Sequence, residues 1–196
     1  MRSAATSRRR LRRLPPPRVP PVEELRMTLS MYEASIPVFQ RALTQLSAVL
    51  KKAAAHAEAK KFDPAVLVNA RLAPDMLPLS RQIQIASDHA RGAAARLAGL
   101  ARPSVPDDEA TLDDLQARIA ATLEYIGQFT PAQIDGSEVR EITLPLRTGE
   151  VKLQGQPYLL HFAFPNFWFH VTVAYAILRH NGVDIGKQDF LGPLPV

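Results

Sequence analysis

The sequence predicts an all-α chain, a four-helix bundle with a short β-hairpin set before its last helix. Three observations carry that prediction. From Leu29 the apolar residues recur at spacings of three and four through Tyr32, Ile36, Phe39, Leu43, Leu46, Leu50 and Ala53, which is the seam of a long amphipathic helix. The same period returns over 79–100 and again from Thr111. Between 140 and 155 the period drops to two, then becomes helical again after Pro165.

Each element has its own boundary signal. Pro37 lies inside the first seam, so the helix is either kinked there or starts close to it. A connector over 62–78 holds Pro64, Pro74 and Pro78 and is long for a plain loop. The second helix, about 79–100, aligns Leu79, Ile83, Ala86, Ala90, Ala93 and Leu97, and its Gly92, Ala93, Ala94 and Ala95 permit close approach of a neighbour. The run RPSVPDDEA at 102–110 interrupts it, and Thr111 with Asp113 and Asp114 is a strong start for the third helix. That helix carries Leu112, Leu115, Ile119, Leu123 and Ile126, with Thr122 beside the stripe. Ile142, Leu144 and Leu146 alternate with other residues, Thr148-Gly149 is a turn signal, and Val151 and Leu153 alternate again, as in a hairpin. Pro165 reads as the first-turn proline of a fourth helix, about 166–181, which stops at Asn181-Gly182.

Composition bounds the function. The chain has 196 residues and no cysteine, which excludes disulfides, iron–sulfur clusters, thiolate metal sites and cysteine nucleophiles. Its net charge of +5 is concentrated at one end. Residues 1–26 contain eight Arg, two Glu and five Pro, leaving a balance of −1 over 27–196. The first segment is expected to be a disordered Arg/Pro-rich tail, and 27–196 the bundle domain, with Met27 a natural start of the orderly pattern. The proline run after the arginines does not suit an export signal, which needs an apolar stretch there. A basic tail has no means of reading bases, so no specific nucleic-acid partner is expected. Leu153–Leu178 carries no charged side chain, yet Gln154, Gln156, Pro157, His161, Pro165, Asn166 and His170 interrupt it, so it reads as buried core rather than a membrane span. The expected location is the cytoplasm.

A helical wheel puts Phe167, Ala174, Ile177 and Leu178 near His170, which therefore points into the bundle, and Asn166 shares that face. Trp168, Thr172, Tyr175 and Arg179 form the opposite stripe. Something must cover Trp168 and Tyr175, either the 140–163 segment or a second copy of the chain in a homodimer. His89 flanks the apolar face of the second helix with Gln82 two turns before it, while Asp88 points elsewhere. Two inward imidazoles on different helices can hold a divalent metal such as Zn or Ni, or can be core histidines hydrogen-bonded to neighbours; Asn166 and Gln82 are expected as ligand-pocket or core polar residues. His180 suits a helix C-terminus, and His56 and His161 have no motif around them. No phosphate loop, nucleophile elbow or HExxH motif is present.

The segments MTLSMYEASIPVFQRALTQLSAVL, QIQIASDHARGAAARLAG and YLLHFAFPNFWFHVTVAYAILRHNGVDIGKQDFLG resemble the bacterial family catalogued as domain of unknown function 1993. That family is similar to the DinB-like, or YfiT-like, superfamily of four-helix bundles. The resemblance runs from Met27 to about Pro193 and implies a DinB-like bundle, often dimeric, with no established activity. The wider superfamily includes metal-dependent thiol transferases and a mycothiol-dependent isomerase. Their metal is held by three histidines, one on the second helix and an HxxxH pair later in the chain. The resemblance gives His89 the first place and His170 one place of the pair, whereas Asn166 and Ala174 stand one turn either side of His170. Two functions follow as expectations. One is a non-catalytic bundle that dimerises or binds a small apolar molecule. The other is a metal-dependent, transferase-like enzyme with a degenerate histidine site.

Overall fold

The structure, a computed structural model, describes residues 30–146 and 149–194. The expected tail at 1–26, Leu29 and Thr148 lie outside the described residues. After a turn at 31–35, helix α1 runs Ile36–Lys60. Pro37 occupies its first turn, where a missing N–H leaves no bond unmade. Of the two alternatives raised by Pro37, the helix thus starts beside it. Phe39, Leu43, Leu46, Leu50, Ala53 and Ala57 are buried along the seam. Lys61 ends the helix in the left-handed conformation, with Phe62 N–H donating to the Ala57 carbonyl.

The 62–78 connector is not structureless. It contains a short helix α2, Ala65–Val68, whose Leu67 and Val68 are buried. Helix α3 spans Leu79–Leu97 and helix α4 Leu112–Gly127. The start of α4 is a reciprocal cap: Asp114 N–H donates to Thr111 Oγ1 at 3.1 Å, and Thr111 N–H donates to Asp114 Oδ2 at 2.9 Å. A short helix α5, Pro131–Ile134, and a 3₁₀ turn at Ser137–Val139 lead into the hairpin. Strands β1, Glu141–Leu146, and β2, Gly149–Gln154, pair antiparallel with Ile142 opposite Leu153 and Leu144 opposite Val151. Ile142 and Leu144 are buried, and their alternation sends them to the same face of β1.

The helical run that ends in the last long helix begins eleven residues earlier than expected. Helix α6, Gly155–Tyr158, passes into a π turn at Leu159–Ala163 and then into helix α7, Phe164–His180. Pro165 therefore lies in a continuous helical run rather than at a break. Proline cannot donate, and its ring pushes against the preceding turn of an α-helix. The widened π turn stands where that conflict arises, and Asn166 Nδ2 donates to the Phe162 carbonyl at 2.7 Å.

Gly155 has a strict steric role. A Cβ there would lie 1.9 Å from the Ser137 carbonyl oxygen, a backbone atom that cannot rotate away. Gly155→Ala is expected to destabilise the protein by about 2–3 kcal/mol through this overlap, measured as a lower urea midpoint. A midpoint unchanged from wild type would show that the 3₁₀ turn yields at no cost.

The bundle closes as a ring in which α1 packs on α4, α4 on α3, α3 on α7 and α7 on α1. Phe39 of α1 meets Phe167 of α7 edge-on at 4.8 Å. A final short helix α8, Lys187–Leu191, lies across α1 and α7. It is held by the Lys52–Asp189 ion pair at 2.6 Å and by Arg41, which donates to the Leu191 carbonyl at 2.8 Å. Phe190 packs on Trp168 and Tyr175, with ring centroids 6.1 and 5.6 Å away. Of the stripe expected to lie under the hairpin segment or a second chain, Trp168 and Tyr175 are half-buried with α8 packed on them, because the chain after Gly182 turns back over that face, while Thr172 and Arg179 stay exposed. Among the described residues no helix is long and apolar enough to cross a membrane.

Candidate functional site

His89 and His170 come together where α3 packs on α7, with ring centroids 6.1 Å apart and ring planes within 16°. Gln82, 1% exposed, does not serve His89, two turns further along α3, but reaches across to His170. Its Nε2 donates to the Leu77 carbonyl at 3.0 Å, which turns its Oε1 toward His170 Nδ1 at 2.7 Å. An amide oxygen only accepts, so Nδ1 carries the proton and His170 Nε2 keeps its lone pair. Burial pushes the His89 pKa down from 6.5 to about 4, with His170 and Arg102 adding to the effect. Burial also lowers that of His170. Both imidazoles are therefore neutral at pH 7.

The other predicted polar residue, Asn166, is turned to the Phe162 carbonyl and stabilises the π turn. Phe162 itself packs edge-on to His89 at 5.9 Å and forms one wall of a cavity of about 360 Å³. Ile85, Leu144 and Pro145 extend that apolar wall, and His89, Arg81, Arg96 and Arg102 supply the polar one. The cavity lies between α3, the 101–111 connector, the tip of the hairpin and the π turn. The α3 side chains that line it run from Arg81 to Arg96, most of the length of that helix.

Asp88 also lines the cavity, contrary to the expectation that it points elsewhere. It accepts from Arg91 at 2.7 Å, Arg102 at 2.5 Å and Arg118 at 2.8 Å. Arg118, with a side chain 1% exposed, also meets Asp107 at 2.9 Å and Glu109 at 2.7 Å, and donates to the Pro106 carbonyl at 2.7 Å. The 102–110 run, read from sequence as a mere interruption, is thus tied down on α3 and α4. Sequence reasoning missed this network. Its one signal was Arg118 standing at spacings of three and four between buried Leu115 and Thr122, a position where a charge is out of place unless paired.

Residues 31–191 match a family model described as a domain of unknown function, DUF1993. The chain belongs to the DUF1993 family. Among solved structures it is similar to a DinB family member protein from Shewanella denitrificans, at 42% identity and a TM-score of 0.79, covering 84% of this chain and 93% of that one. No curated protein matches it. In this DUF1993 chain the metal expectation meets two of its three requirements at most. His89 and His170 are adjacent, but no group of three or more His, Asp or Glu side chains suited to an ion occurs among the described residues. Asp88, the nearest carboxylate in sequence, is committed to three arginines. The side chains present among the described residues do not fit a three-ligand catalytic metal.

Proposed function

We propose that this DUF1993 protein is a non-catalytic bundle that binds a small molecule with an apolar body, seated over His89. The observation that carries this reading is the cavity of about 360 Å³ whose one wall is Ile85, Leu144, Pro145 and Phe162. Ligand sites of this size combine apolar walls with a few fixed polar groups. His170 and Gln82 serve as the rigid backing: the fixed amide and the single tautomer hold the α3–α7 contact behind His89 without placing a charge there.

The test uses the neutral fluorescent probe N-phenyl-1-naphthylamine. Its emission is expected to rise and shift to the blue with wild-type protein at micromolar concentration, and Ile85→Trp, which fills the cavity, is expected to weaken binding at least tenfold. Far-ultraviolet circular dichroism checks that the variant is folded. No rise with wild type, or equal binding by a folded Ile85→Trp protein, overturns the reading.

A further inference from the structure

The arginines around the cavity are not equally provided for. Arg81 pairs with Asp107 at 2.5 Å and Arg102 with Asp88 at 2.5 Å, while Arg91 and Arg118 draw on Asp88, Asp107 and Glu109. Arg96 has no carboxylate within 4.0 Å among the described residues. Its one hydrogen bond goes to the Tyr158 hydroxyl at 3.3 Å, and its guanidinium lies 5.9 Å from the centre of the Tyr158 ring. A guanidinium has five N–H donors in a planar fork, so most of this one's capacity is unused.

Its position is built. A Cβ on Gly92, one turn earlier on α3, would lie 2.7 Å from a terminal nitrogen of Arg96. The bare backbone there lets the side chain fold back along the helix toward the cavity. Tyr158, 1% exposed, closes off the other side. Arg96 and Arg102 line both the His89 cavity and an adjoining groove that adds Arg140, so the two guanidinium groups stand where these spaces meet. Arg140 is engaged by the Leu97 carbonyl at the end of α3, and Glu141, in the same groove, pairs with Lys152 at 2.8 Å.

We propose that Arg96 is the anchor for an anionic head group, a carboxylate or a phosphate monoester, on a ligand whose apolar body lies against Phe162 and Leu144. The inference rests on the cavity being a ligand site and adds the charge class of its occupant. A planar fork in a partly desolvated pocket binds such oxyanions through two parallel hydrogen bonds. His89, being neutral, neither repels a cation nor attracts an anion, so the preference falls to Arg96.

The experiment titrates three probes with one ring system, 1-naphthoate, 1-naphthyl phosphate and neutral 1-naphthylmethanol, against the full chain by isothermal calorimetry at pH 7. At least one anion is expected to bind tenfold or more tighter than the alcohol, and the stronger of the two names the head group. Arg96→Met should erase that preference while alcohol binding persists. Gly92→Ala keeps the charge but pushes the guanidinium aside. Because the displaced atom is the end of a flexible side chain and Ala favours a helix over Gly, this variant stays folded and should lose at least threefold of the preference. Equal binding of all three probes, or an anion preference retained in Arg96→Met, overturns the anion assignment while the binding reading stands. Binding of none by wild type overturns both.

Discussion

Arg118→Ala is expected to destabilise the protein by about 3–5 kcal/mol, the cost of removing one partner from a buried ionic network. The effect is large because the loss is not confined to one ion pair. Arg118 is held by Asp88, Asp107, Glu109 and the Pro106 carbonyl, and its own side chain is almost wholly out of water. Without it, Asp88 retains Arg91 and Arg102, but Glu109, whose side chain is 9% exposed, loses the one cation it has among the described residues and keeps the Gln84 amide at 2.7 Å. Equilibrium urea unfolding measures the change. Arg118→Lys, which keeps the charge but not the fork, should recover less than half of it, since a single ammonium cannot reach carboxylates on both α3 and the connector. A loss below about 1 kcal/mol for Arg118→Ala would class the network with exposed salt bridges and contradict its burial.

Stability is expected to rise with pH between about 4 and 6.5, by roughly 3 kcal/mol from His89 alone. The folded protein holds His89 near 4, against 6.5 for the free side chain, so across that window the unfolded chain binds the extra proton and acid favours unfolding. His170, also lowered by burial, acts in the same direction. The stabilised carboxylates act in the same direction, and mainly below this range. Asp114, bonded by Thr111, and Asp189, bonded by Lys52, titrate below the ordinary value of 3.8, so most of their contribution is lost as pH falls from about that value through the lowered one. Urea midpoints across the range measure the slope, and His89→Leu is expected to remove most of it. An equally steep slope in His89→Leu would assign the effect elsewhere.

The helical part of the fold was legible because it depends on local pattern. The α1 seam, the Thr111 cap and the two-residue period of the hairpin are properties of neighbouring residues, and each appears in the structure with small shifts of boundary. The beginning of the last helix was not legible. A proline preceded by apolar residues reads as a start, and only the π turn at Leu159–Ala163, together with the Asn166 bond to Phe162, lets a helix run through it. Asp88 was misplaced for a related reason. A helical wheel separates it from His89, but it takes no account of long arginine side chains arriving from α4 and from the connector.

The amino-acid order alone determined that this chain makes four long helices and a hairpin, and that His89 and His170 face the interior, since spacing along a helix sets which side a residue occupies. It could not say which interior side chains meet. Gln82 bonds His170 rather than His89 two turns along its own helix, Phe190 packs on Trp168 and Tyr175, and among the described residues Arg96 is left without an acid while Arg118 has three. These pairings join residues far apart in the chain. They depend on how the helices are rotated and where the connectors cross, which packing of the whole core settles at once.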